Sequence, residues 1–119
     1  MKTIVSLIFA VATAVFAAQP VSGTWRNSSL TLVMQISGTS VTGSVKDGAA
    51  DIHMMKAGVV DGNAVRFTTD AVLNDQHVVF EWEGVVKGDE LTLMRWVAGN
   101  PRDKPYAPFN GPFVLRHLN

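Results

Sequence analysis

The chain has no cysteine. No disulfide can staple it, so its stability must come from side-chain packing and paired backbone groups. It also has no excess of either charge, since Lys plus Arg and Asp plus Glu each number 10 in the 119 residues. The charges are scattered and no polybasic run occurs, which leaves no electrostatic footprint for nucleic acid or an anionic lipid surface. There is no Gly-x-Ser-x-Gly elbow and no glycine-rich loop leading into a helix. His53, His77 and His117 stand at no recognisable spacing from a serine or aspartate. The common signatures of nucleophilic catalysis and phosphate binding are therefore missing, although catalytic groups need not be sequence neighbours. Beyond residue 20 no long helical period, linker or second domain is visible.

The first segment has a character of its own. Lys2 precedes an apolar run from Ile4 to Phe16, followed by Ala17, Ala18, Gln19 and Pro20. This is the order of a secretory signal peptide, with cleavage expected after Ala17. The run is shorter than the ~20 residues a membrane-spanning helix needs. Residues 1–17 are thus expected to be a leader and residues 18–119 one exported domain, periplasmic or secreted, with no membrane span once the leader is removed.

In that domain the period is two. Leu30, Leu32, Met34 and Ile36 alternate with Thr31, Val33, Gln35 and Ser37. Val78, Phe80, Trp82, Gly84 and Val86 alternate with His77, Val79, Glu81, Glu83, Val85 and Lys87. Such alternation puts one set of side chains on each face of a strand. Turn residues cut the chain at short intervals: Ser37-Gly38-Thr39, Asp47-Gly48, Asp61-Gly62-Asn63, Asn74-Asp75-Gln76 and Lys87-Gly88-Asp89. Strands are predicted over 22–27, 29–37, 40–47, 51–60, 64–72, 77–87, 90–97 and 112–118. About eight short strands with tight links imply an all-β, antiparallel up-and-down meander barrel, with a β-sandwich as the alternative. Residues 98–111 form one long proline-rich connection carrying Tyr106 and Phe109, and long loops in compact domains are often functional.

Four segments carry a resemblance: Gly23-Thr24-Trp25, Val41-Thr42-Gly43-Ser44, Gly58 to Phe67, and Glu83 to Leu93. Together they resemble small, functionally uncharacterised secreted β-domains of bacteria, in which a Gly-x-Trp strand is followed by x-G-x-V-x-G-D-x-L hairpins. The layout is also similar to the calycin superfamily of lipocalins, fatty-acid-binding proteins and avidins. That resemblance implies a latch in which Arg116 on the last strand covers Trp25 on the first, a cation–π contact worth ~0.5–2 kcal/mol. Gly23-Thr24-Trp25-Arg26-Asn27 looks like the first avidin strand, which implies a ligand contact at Asn27. The chain departs from avidins at Val45, where they carry a tyrosine, and in lacking their final-strand aspartate. Biotin's polar head would then have too few partners.

Trp25, Trp82 and Trp96 are the richest aromatic constellation. Trp25 and Trp82 read as core, whereas Trp96 shares a face with Thr92 and Met94 and is expected to be the most exposed of the three. Trp82, Trp96, Asn27, Tyr106 and Phe109 are the candidate ligand contacts. His53-Met54-Met55 offers groups suited to Cu(I), but adjacent strand residues point to opposite faces. Met54 is therefore expected in the core, His53 in solvent, and no metal is expected. Glu81 and Glu83 share one strand face, expected to be the outer one. The leading expectation is an exported, non-enzymatic β-barrel that binds a small apolar or amphipathic ligand without a cofactor. Alternatives are a protein-binding accessory or inhibitor module of the cell envelope, and a small barrel enzyme using Glu81 or Glu83 with His53.

Overall fold

The computed structural model describes residue 20 and residues 22–48, 51–99 and 111–118. The leader expected over 1–17, together with Tyr106, Phe109 and most of the long loop, lies outside the described residues. Among the described residues all regular structure is strand: β1 (Gly23–Arg26), β2 (Leu30–Ser37), β3 (Ser40–Asp47), β4 (Ile52–Met54), β5 (Lys56–Asp61), β6 (Ala64–Leu73), β7 (Gln76–Lys87), β8 (Glu90–Val97) and β9 (Phe113–Leu118). No helix among them is long and apolar enough to cross a membrane.

The strands pair antiparallel in the order β2-β1-β9-β8-β7-β6-β5-β3-β4, and β2 also pairs with β3. That last pairing closes a ring of 8 strands, with β4 the extra one. Closure leaves the ring without a free edge, which a cysteine-free sheet would otherwise expose. The fold is the expected meander barrel. Trp25 lies opposite His117 and Thr24 opposite Leu118, so the first and last strands meet at the seam.

Alternation works as the period predicts. Trp25, Leu32, Val65, Leu91, Leu93 and Leu115 are fully buried inside the ring. The β6–β7 hairpin turns on Asn74 and Asp75, both with positive φ (52° and 64°). This is the backbone hand that matches strand twist in a two-residue loop. Gly43, at φ 144°, sits where a Cβ would lie 1.8 Å from the Val33 carbonyl oxygen, so the β2–β3 ladder admits no side chain there.

One predicted strand breaks. Residues 51–60 form two strands, β4 and β5, and the β5–β6 ladder is irregular between Lys56 and Val59. Ala57 takes φ 52° at the irregularity. An extra residue in one strand shifts the inward and outward assignment around it. Met55 is buried and Met54 is 62% exposed, which reverses the expectation that Met54 fills the core.

The barrel has two unlike ends. The β2–β3, β5–β6 and β7–β8 turns lie at one end, here the hairpin end. Its interior is solid: a Cβ on Gly84 would lie 2.8 Å from Leu91 Cδ1 and 2.9 Å from Leu93 Cδ1. At the opposite end, the mouth, lie the link after β1, the β6–β7 turn and the stems of the 98–112 connection.

Candidate functional site

The mouth contains a cavity of about 140 Å³. Its wall is mostly apolar: Val45 from β3, Ala71 and Leu73 from β6, and Phe80 and Trp82 from β7. Asp47, His53, Thr69 and Arg95 supply the polar atoms. Each reaches the interior by strand parity. Arg95 follows Leu91 and Leu93 on the inward face of β8, and His53 lies opposite the inward Val45.

Arg95 is the dominant group. It is only 5% exposed. Its guanidinium carbon lies 4.7 Å from the Trp82 ring centre, 5.0 Å from Phe80 and 5.3 Å from Phe113. The positive charge meets the negative faces of three rings, each contact worth ~0.5–2 kcal/mol. Its Nη1 donates to Asp47 Oδ2 across 3.4 Å, and the Asp47 side chain is 44% exposed at the rim. Burial pushes the guanidinium below its ordinary value, and Asp47 partly restores it. An arginine so placed keeps its charge at neutral pH. A full positive charge thus sits at the wall of an apolar space, where desolvation alone would cost several kcal/mol.

Trp82 is held in place by its neighbours. Its indole N–H donates to the buried Thr69 Oγ1 at 2.9 Å. Phe67 stacks on it with ring centres 5.6 Å apart and an interplanar angle of 15°. The cation–π partner of Arg95 is therefore a fixed surface.

The residues named from the sequence are dispersed. Trp82 lines the cavity. Trp96 does not; it faces away from the interior, opposite Glu81, and at 8% it is the most exposed of the three tryptophans, as expected, although still buried. Asn27 is engaged in a turn: its Oδ1 accepts from the Ser29 and Leu30 backbone N–H groups at 2.8 Å, and its Nδ2 donates to the Val114 carbonyl at 3.2 Å. Those bonds brace the link between β1 and β2.

The expected latch is made by a different residue. The Trp25 ring packs against His117, with centres 4.7 Å apart. His117 Nε2 lies 3.2 Å from the Ser22 carbonyl oxygen, which ties β9 to the start of β1. Arg116 points outward and pairs with Asp89 at 3.3 Å and Glu90 at 3.1 Å. Parity is the reason. Trp25 lies opposite His117 while Arg116 lies opposite Arg26 on the other face.

His53 is half-buried on the cavity wall, where solvent was expected, and Met54 points away from it. The three residues considered for copper therefore do not converge. Glu81 and Glu83 lie on the outer side of β7, so the sheet separates them from His53 and that acid–base pairing is not formed.

Arg95, Asp47 and Thr69 were missed from the sequence. Arg95 left a signal, because it occupies the inward position of a strand otherwise reading Leu91, Leu93 and Val97. Asp47 and Thr69 left none, since a turn-flanking aspartate and a strand threonine are ordinary. Comparison of the chain with protein-family models, with curated proteins and with solved structures gave no match.

Proposed function

We propose that this protein is an exported, calycin-like barrel that binds a small amphipathic molecule in the mouth cavity and performs no chemistry on it. One observation carries the reading: a mostly apolar cavity in the mouth of the barrel, with Arg95 buried in its wall. Ligand sites are typically apolar with a few placed polar anchors. The volume sets the scale. A cavity of ~150 Å³ lined by aliphatic and aromatic side chains holds one benzene, so about 140 Å³ suits one six-membered ring or a short branched chain. The resemblance to calycins and the leader-like residues 1–17 support the same reading and a periplasmic or extracellular setting.

The test is thermal unfolding with ring-sized probes such as phenol and indole, alongside NMR of the Trp82 indole N–H. A probe at ~100 times its Kd stabilises by ~2.7 kcal/mol, a rise of ~10 °C or more for a domain of this size. Ala71→Leu, which fills the space, should remove the response. If no probe moves either signal, the reading fails.

A protein partner is the second reading, favoured by Ile52, Met54 and Val72, which are exposed on the outer faces of β4 and β6. Replacing Ile52 and Met54 by lysine should leave probe binding intact. If the same double variant abolishes association with an envelope protein, the outer wall is the working surface.

A further inference from the structure

We infer that the ligand is an extended peptide: its backbone adds a strand to the open mouth half of β6, and one apolar side chain, a single ring or a short branched chain, passes through the barrel wall into the mouth cavity. The inference rests on the ligand-binding reading above and adds the chemical class.

The opening lies where the ring closes. β5 pairs with β6 only as far as Thr68, and it meets β3 at Ser40. Nearer the mouth β4 takes its place beside β3, pairing with residues 44–46. Among the described residues β4 forms no ladder with β6, whose residues 69–73 pair with β7 alone. The two strands part at the irregularity around Ala57. A groove of about 410 Å³ runs beside this half of β6, within the ~300–1,000 Å³ of ligand sites. It shares His53, Ala71 and Leu73 with the mouth cavity, so it enters that cavity through the wall.

Strand parity fixes what the slit presents. The Val79 carbonyl accepts from the Ala98 N–H, so Val79 turns its backbone groups toward β8, and Val78 and Phe80 turn theirs toward β6. Those two stand opposite Ala71 and Thr69. Asp70 and Val72 therefore aim their N–H and C=O groups away from β7, into the slit. Such a row of donors and acceptors is the template that an added strand completes. A small molecule fills the cavity and leaves the row unmatched, whereas an extended peptide meets both.

The peptide residue opposite Ala71 shares the inward face of Ala71, in the closer, non-hydrogen-bonded kind of pair. Its side chain enters the space beside that small residue, where about 140 Å³ limits it to one ring or a short branched chain. Its two neighbours point outward. Open edges are ordinarily guarded by charge or proline. This one carries the Lys56–Asp70 pair at its root and the exposed, apolar Ile52, Met54 and Val72 along its flanks, which the outward residues would cover.

The experiment uses the purified protein and the peptide Ac-Thr-Thr-Phe-Thr-Thr-NH2, with calorimetric titration and amide hydrogen exchange. The peptide should bind at least ~10-fold more tightly than its central-alanine analogue, which lacks the ring. It should also bind at least ~10-fold more tightly than the analogue N-methylated at the two threonines beside phenylalanine, whose N–H groups face β6. The Asp70 and Val72 amides should exchange freely in the unbound protein and slow at least ~10-fold at saturation. Val72→Pro removes one edge donor and should weaken the peptide several-fold. Should that variant fail to fold, the N-methylated peptide makes the same test from the ligand's side. Unchanged binding of the N-methylated peptide overturns strand addition. So does protection of the two amides without peptide, which would mean that the chain itself or a second copy occupies the edge. Binding of phenol or indole but of no peptide overturns the peptide assignment and leaves the ligand-binding reading standing. Failure of every probe and peptide overturns both.

Discussion

The two ends of this barrel are built from the same strands and packed to different purposes. At the hairpin end Gly84 removes a side chain so that Leu91 and Leu93 can meet, and no space is left. At the mouth Ala71 and Thr69 are small too, yet none of the described neighbours fills the space they leave, and a charged side chain lines the wall. Small residues thus do opposite work in the two places. Both ends bury apolar side chains, Leu30 and Val45 among them at the mouth, but only the mouth pairs them with a cavity lined by a desolvated cation.

The largest effect tests the solid end directly. Leu91→Ala should cost ~2–5 kcal/mol, because a fully buried leucine leaves a void its neighbours cannot close. Leu73→Ala, at the half-buried mouth, should cost less than ~1.5 kcal/mol in the same denaturant titration. Equal costs would mean that the ends do not differ in packing.

Adding volume should show the reverse asymmetry. Gly84→Ala should destabilise by ~1–3 kcal/mol through overpacking against the two leucine tips. Ala71→Leu should instead be neutral or stabilising by up to ~1 kcal/mol, since it grows into existing space. Calorimetric melting of the two variants side by side decides this.

Thr69→Val isolates the polar brace of the mouth. It keeps the shape but strands the buried Trp82 N–H, at an expected cost of ~1–3 kcal/mol. The tryptophan fluorescence of the variant should report a more mobile ring.

The smallest effect belongs to the outer wall beside the mouth. Lys56, by its hydrogen bond and then its charge, holds the Asp70 carboxyl below its ordinary 3.8, with a lesser pull from His77 and some opposition from desolvation. A depressed folded value means the contribution is present above pH 3.8 and is lost as pH falls through the folded value. Asp70→Asn should therefore be slightly less stable than the parent at neutral pH and equal to it in strong acid. The gap should shrink in high salt, as for any exposed pair.

Much of the fold was legible before the structure. Period-two patterning marked β2, β3, β7 and β8, and glycine or asparagine at the tight links marked the hairpins. The site was far less legible. Asn27 looked like a ligand contact because the first strand resembles that of avidins, whereas its side chain is committed to the backbone of its own turn. Arg116 was named as the latch from the calycin resemblance, and a one-residue difference on a strand moves a side chain through the sheet. The break at Ala57 had no local cue, since alanine does not announce a positive φ; the bulge imposes it.

Local sequence alone determined that this chain is a succession of short strands with one apolar face each, because side-chain alternation and turn chemistry act over a few residues. Ring closure decided the rest. Only when β3, β4, β6, β7, β8 and β9 surround one interior do Asp47, His53, Thr69, Trp82, Arg95 and Phe113 become neighbours. Whether facing side chains fill that interior or leave a cavity depends on sums of volume taken across strands far apart in the chain, and no local pattern records such a sum.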